Sequence, residues 1–249
     1  MTSQKKTLTR EEFKKSNRRS FIFAGVSALF GVLGLSWAIN TDNDDDATPD
    51  LLRKGYLANE KFWKSIYNPK RENSATDAPA PGTQARINGD IGLEQDINLS
   101  EWKLEYESPS LKKTFTLQDL EKFPRFSSQA EFRCIEGWSI PIGYEGIRFS
   151  DFLSVVDPEA TKFPYVGLET PNEDYYVSVD MESMLHSQTF LADKLNGQPL
   201  GKDHGEPLRL IIPIKYGIKN LKRIGRIFVS EERPPDYWAE NGYDWYSGL

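Results

Sequence analysis

Residues 21–39 run for 19 positions without a charge, about the length of one membrane-spanning helix. The 20 residues before them hold seven basic and two acidic side chains, and five aspartates follow within residues 40–50. Positive before and negative after predicts a single pass, with the N-terminus in the cytoplasm and everything beyond residue 40 across the membrane. Residues 50–67 then space their apolar positions as a helix does, at Leu51, Leu52, Tyr56, Phe62, Trp63 and Ile66. Residues 68–84, rich in Pro, Ala, Ser, Asn and Thr, predict an extended linker or strap.

From residue 86 onward short strand-like runs dominate. Trp102-Lys103-Leu104-Glu105-Tyr106 alternates apolar and polar side chains, and so does the run from Tyr175 to Val179 after the turn Pro171-Asn172-Glu173-Asp174. Short helices are predicted over 117–122, capped by Thr116, over 149–155, capped by Ser150, and from Asp180 through Met181 to Leu185. No internal repeat is visible. The pattern is α+β with mixed β-sheets. It divides the chain into a basic segment (1–20), an apolar membrane helix or signal (21–39), a juxtamembrane helix and linker (40–85) and one domain (86–249).

Charge narrows the partners. The whole chain carries −6. Setting aside the basic first 20 residues leaves the remainder near −11, which argues against nucleic acid and against lying flat on an anionic membrane. Asn17-Arg18-Arg19-Ser20-Phe21-Ile22 reads as a twin-arginine export signal. Ser36-Trp37-Ala38 fits a signal-peptidase site only loosely, so a retained anchor in the cell membrane is expected.

The chemistry gathers in two stretches. Cys134, the one cysteine of the chain, lies in Phe132-Arg133-Cys134-Ile135-Glu136-Gly137-Trp138. It cannot form an internal disulfide, so it is core filler, a nucleophile or a metal ligand. Arg133 could help hold a thiolate, and Gly137 could let the backbone approach something bulky. The second stretch runs from His204 to Lys222. There the apolar run 208–212 ends at Pro213 and leads into a loop with three lysines. A strand followed by a basic loop suits a phosphate-bearing ligand. Arg209 could contact it bidentately, Lys219 and Lys222 could add point charges, and Gly217 could adopt unusual backbone angles.

Together the two stretches resemble the sulfite-oxidase-type molybdopterin domain, over roughly residues 86–249. That superfamily includes sulfite oxidases, plant nitrate reductases and the periplasmic methionine-sulfoxide reductase catalytic subunit. The segment Arg133-Cys134-Ile135-Glu136-Gly137-Trp138 matches its molybdenum-ligating segment. The stretch His204-Gly205-Glu206-Pro207-Leu208-Arg209 and its basic loop match its phosphate-binding segment, with Arg209 and Lys222 separated by the family's 13 positions. The resemblance implies a molybdenum–molybdopterin cofactor, with Cys134 as the metal ligand. It places His204, Arg209 and the loop end Asn220-Leu221-Lys222 on the pterin phosphate.

Three more positions follow from the same resemblance. Thr170 ends a strand like the one whose threonine touches the cofactor. Asn88, in Arg86-Ile87-Asn88-Gly89, is a cofactor contact or half of a type I′ turn. Tyr243, in Asn241-Gly242-Tyr243, reaches the metal or belongs to an aromatic cluster with Tyr237, Trp238, Trp245 and Tyr246 that packs the tail. No immunoglobulin-like dimerisation domain is expected after the cofactor loop.

The implied function is oxygen-atom transfer to or from a small substrate of the S- or N-oxide type. With one cysteine no C-x-x-C-H haem motif exists, so electrons pass to or from a membrane b-type or soluble c-type cytochrome. Two alternatives stand beside it. One is an anchored binding or assembly module that keeps the fold without turnover. The other is a thiol enzyme pairing Cys134 with His186 or His204.

Overall fold

The computed structural model describes residues 27, 31–34, 36, 50–66, 72, 73 and 85–249. The twin-arginine pair, most of the apolar segment and most of the linker lie outside these residues. Among the described residues no helix is long and apolar enough to cross a membrane. Contacts divide the chain into residues 1–57 and 58–249. Helix α1, Asp50–Ile66, forms where the apolar spacing predicts it. Its side chains Leu52, Tyr56, Phe62 and Ile66 are exposed.

Two sheets build the larger unit. The first orders its strands β2 (Lys112–Phe115), β1 (Leu104–Glu107), β10 (Arg226–Ser230), β5 (Tyr165–Glu169) and β6 (Tyr176–Asp180). It is mixed: β1 and β10 run parallel and the other neighbours antiparallel. The second sheet is antiparallel throughout. In it β3 (Phe126–Arg133) pairs with β4 (Ser139–Arg148), and β4 pairs with β7 (Phe190–Leu195). The short strands β8 (Gln198–Pro199) and β9 (Arg209–Ile211) both pair with β7.

Alternation decides which faces are dry. Leu104 and Tyr106 of β1 point inward while Glu105 faces solvent. They join Val166, Leu168, Val177, Val179 and Ile227 of the same sheet against Ile147, Leu191 and Leu210 of the second sheet. Each such fully buried side chain contributes about 1.5–3 kcal/mol. A smaller cluster, including Ile142, Tyr144, Ala192 and Ile211, covers the other face of the second sheet. Strand β6 departs from simple alternation, because Ser178 and Asp180 are buried as well as Val177 and Val179. The C-terminal segment covers its second face: Trp245 Nε1 donates to Ser178 Oγ at 2.6 Å, and Asp236 accepts from Ser178 N at 3.0 Å.

Helix caps place the short helices. Thr116 and Asp119 form a reciprocal capping box at α2, Leu117–Leu120. Asp180 caps α4, Met181–Met184, by accepting from Ser183 N at 2.9 Å. Helix α3, Phe149–Val156, has no side-chain cap, so Ser150 does not serve as one and sits inside the helix. The amide of Phe149 instead donates to the Thr189 carbonyl at 3.0 Å, which fastens the helix start to the segment before β7. Asp236 caps α5, Tyr237–Glu240.

Candidate functional site

Cys134 opens the turn between β3 and β4. Its amide donates to Trp138 O at 2.9 Å and its carbonyl accepts from Gly137 N at 3.0 Å. Gly137 has φ 88° and open space where a Cβ would stand, so the turn geometry, and not close approach, requires the glycine. The thiol is buried and accepts from Asn88 Nδ2 at 3.5 Å. Asn88 is outside the left-handed region that a type I′ turn requires, although Gly89 has φ 70°. Arg133 does not hold the thiol: its guanidinium pairs with Glu131 at 2.7 Å on the exposed side of β3.

Arg209 starts β9 and is 5% exposed. Its Nη1 donates to His204 O at 3.1 Å and its Nη2 to Asn220 O at 3.4 Å. Its Nε is buried without a partner. Burial disfavours the guanidinium charge, and among the described residues no carboxylate pairs with it. Asn220 fixes the loop beside it by accepting from Ile212 N at 2.8 Å and donating to Tyr216 O at 3.1 Å. Gly217 is not in the left-handed region. Its value is size, because a Cβ there would stand 2.8 Å from the Phe132 ring.

The three lysines of the basic loop have different partners. Lys215 pairs with Asp180 at 3.0 Å, and Lys219 pairs with Asp236; both pairs are buried. Lys219 is therefore a structural charge with no access to a ligand phosphate. Among the described residues no carboxylate forms an ion pair with Lys222, although Asp203 and Asp90 favour its charge from further away. The Lys222 Nζ donates to the carbonyls of Asn88, Gly89 and Asp203 at 2.7–2.9 Å. Burial, reinforced by repulsion from Arg209, pushes its pKa down to about 8. Burial also lowers the pKa of His204, again with help from Arg209 and Lys222. Gly205, at φ 90°, lets the His204 turn lie against Lys222, since a Cβ would stand 2.8 Å from Lys222 Cα.

A third wall comes from Tyr175 and Trp238. Trp238 Nε1 donates to Tyr175 Oη at 2.9 Å, and that hydroxyl donates to Ile218 O at 2.7 Å. Sequence reasoning missed both as site residues. Tyr175 reads as the first position of an alternating strand and Trp238 as tail packing, and a hydrogen bond between distant segments leaves no trace in local spacing.

These walls line an open pocket of about 110 Å³ that brings Asn88, Cys134, Arg209, Asn220 and Lys222 together. Four expected contacts fall outside its lining. The His204 carbonyl, not its ring, accepts the hydrogen bond from Arg209 Nη1. The Leu221 side chain is in the main core and its carbonyl accepts from Leu210 N at 2.8 Å. Thr170 Oγ1 closes its own turn, accepting from Tyr175 N at 3.1 Å. Tyr243 stands behind Trp238, with ring centroids 5.1 Å apart. Neither histidine has a hydrogen bond to Cys134 among the described residues; His186 Nδ1 accepts from Gln188 N at 3.2 Å.

The donor set suits one kind of occupant. Among the described residues no three His, Cys, Asp or Glu side chains converge as metal ligands. A metal on Cys134 must therefore arrive with its other ligands. A thiolate selects a soft or high-valent metal–sulfur centre. The partnerless Nε of Arg209 and the unpaired charge of Lys222 call for an anionic group on the same carrier. Molybdopterin, a sulfur-chelated metal carrier ending in a phosphate, fits these requirements.

The comparisons agree with the pocket. A family model described as the oxidoreductase molybdopterin binding domain matches residues 91–238, more than half of the chain. The protein-methionine-sulfoxide reductase catalytic subunit MsrP of Campylobacter jejuni is 28% identical over 97% of this chain and 83% of its own length. The uncharacterized oxidoreductase YuiH of Bacillus subtilis is 30% identical over 70% of this chain and 85% of its own. The YedZ1 protein of Azospira oryzae is 35% identical over 62% of this chain, which spans only 58% of that protein. Among solved structures, the sulfane dehydrogenase SoxCD from Paracoccus pantotrophus shares the fold, with a TM-score of 0.50 over 56% of this chain and 40% of its own, at 22% identity. From the buried thiol beside an unpaired cationic pair to the family match across the domain that builds them, the observations converge: the chain belongs to the oxidoreductase molybdopterin-binding family and is a molybdopterin-dependent enzyme.

Proposed function

We propose that this enzyme is the catalytic subunit of a reductase that removes oxygen from S-oxides, methionine sulfoxide foremost, with N-oxides as the wider class. The observation that carries this reading is the joining of one buried thiol, Cys134, with Arg209 and Lys222, neither in an ion pair among the described residues, in a single pocket. The near full-length likeness to a protein-methionine-sulfoxide reductase catalytic subunit favours sulfoxides within the family. Sulfite is disfavoured, because the segment after Cys134 brings Glu136, bonded to Trp138 Nε1 at 2.9 Å, and no arginine.

Cys134 would ligate the molybdenum, which supplies the two-electron oxygen-atom chemistry when bound. Arg209 and Lys222 would hold the phosphate, and Asn88 would keep the sulfur in place. Tyr175 and Trp238, hydrogen-bonded to each other, would screen one side of the site from water. Turning a sulfoxide into a sulfide consumes two electrons and two protons and releases water. A chain with one cysteine carries no covalent c-type haem, so the electrons come from a partner, a membrane b-type or soluble c-type cytochrome. Metal and pterin analysis with a panel of S-oxides, N-oxides and sulfite tests this. One molybdenum per chain with sulfoxide reduction, both lost in Cys134→Ser, is expected. A metal-free active enzyme, or one that acts on sulfite alone, would refute it.

The place of work is read from the N-terminal pattern: a retained single pass in the cell membrane, the domain on the periplasmic side and export by the twin-arginine route. Replacing Arg18 and Arg19 with lysines keeps the charge. A transporter that reads the arginine pair leaves this variant in the cytoplasm, whereas normal localisation of the double-lysine form points to an ordinary anchor.

A further inference from the structure

A second buried donor without a partner lies near Arg209. Tyr144, in the middle of β4, is 2% exposed, and its hydroxyl has no hydrogen-bond partner among the described residues. Buried hydroxyls are rarely left so, because the lost hydration is not regained. The second orphan is Arg209 Nε, already described. A third orphan on this face, Arg148 Nε, belongs to a guanidinium that lies over the Phe126 ring at 3.4 Å, whereas the two donors nearest the pocket, on Tyr144 and Arg209, call for a common explanation.

The register places them on that face. Arg209 and Ile211 lie two apart on β9, so their side chains share a side, and Ile211 belongs to the same small cluster as Tyr144. Arg209 pairs with Ala192 on β7, and Ala192 pairs with Gly146 on β4, two residues from Tyr144. Between arginine and tyrosine there is thus one methyl group and one position with no side chain. The β7 backbone itself closes over Gly146, where a Cβ would stand 2.6 Å from Ala192 Cα, and the guanidinium charge is felt at the tyrosine hydroxyl. Burial keeps that hydroxyl protonated, well above the ordinary tyrosine range, so it can only donate to an anion. Phe132 packs on this cluster and lines the pocket with Arg209, so the cluster, Tyr144 included, adjoins the pocket from behind its lining.

We propose that Tyr144 is a further cofactor-binding residue, its hydroxyl and Arg209 Nε donating together to the phosphate end of the molybdopterin. The proposal rests on the cofactor reading above and adds a contact that local spacing does not reveal. In the unloaded protein the hydroxyl is a burden, whereas in the loaded protein it is a ligand.

That reversal of sign is the test. Tyr144→Phe keeps the ring and removes only the hydroxyl. The full-length protein is purified with cofactor, and also from a host unable to make it. Melting temperature is measured for both forms, and the rate of pterin loss for the loaded form. The unloaded variant is expected to melt no lower than unloaded wild type, because an unsatisfied donor has gone. The loaded variant is expected to lose pterin about tenfold faster or more, the usual worth of a hydrogen bond to a charged group. Equal rates of pterin loss, or a melting temperature already lowered in the unloaded variant, would overturn the proposal. A wild type that carries no pterin at all would instead overturn the cofactor reading, and this proposal with it.

Discussion

Lys222 shows how a single side chain can be read only after its neighbours are known. Three lysines stand between Pro213 and Ile224; the family spacing singles out Lys222, but nothing in the sequence shows what becomes of the charge on each. Two are neutralised by Asp180 and Asp236, carboxylates 35 and 17 positions away in the chain. Lys222 is left with carbonyls and a pKa of about 8. This gives a pH dependence with a definite sign. Above about pH 8 the amine is neutral in the unloaded enzyme, and a bound phosphate restores its proton, so binding takes up a proton there. Affinity for the phosphate-bearing cofactor should therefore fall as pH rises from 7 to 9.5, by up to about tenfold per unit above the midpoint. Lys222→Met should flatten the profile. A wild-type dissociation rate that does not change over this range would show that Lys222 is not at the phosphate. At this scale Cys134, Arg209 and Lys222 were legible from the sequence because motif order and spacing marked them. Tyr175, Trp238 and Tyr144 were not, since their roles come from bonds or orphaned groups that arise only when distant strands meet.

At the scale of elements, the pocket depends on one buried carboxylate. Asp236 caps α5, which carries Trp238, by accepting from Ala239 N at 3.1 Å. The same carboxylate accepts from Ser178 N on β6 and pairs with Lys219, which ends the turn bearing Gly217 and Ile218. Two pocket walls and the edge strand of the first sheet are thus tied at one point. Removing one partner leaves an uncompensated buried charge, which costs about 3–5 kcal/mol. Lys219→Met should lower the stability of the loaded protein by that amount in urea titration, and the double change with Asp236→Leu should recover much of it. A loss under about 1 kcal/mol in the single variant would show that the pair does not hold the walls. The sequence predicted the helix starts at Thr116 and Asp180, where the cap is a side chain three residues from its target. It misplaced the cap of α3, because that helix begins on the Thr189 carbonyl, 40 positions away.

Across the whole molecule, the α+β class was visible in the alternating runs. The division into one mixed and one antiparallel sheet was not, since strand pairing such as β1 with β10 joins residues more than 100 apart. The pocket is built from what leaves these strands: the Cys134 turn after β3, the loop after β9, the segment around Asn88 and helix α5. Each wall belongs to a different stretch of chain. A ligand that bridges Asn88, Cys134, Arg209 and Lys222 acts as a reversible crosslink across spans of 46, 75 and 13 residues. The entropy of closing such loops grows only slowly with their length, so the long spans are nearly as easy to close as the short one. A ligand that binds only the closed arrangement stabilises it by an amount that grows with the logarithm of its concentration relative to its dissociation constant. Loading and the last stage of folding are then one equilibrium, and the cofactor is as much a part of the tertiary structure as the strands that hold it.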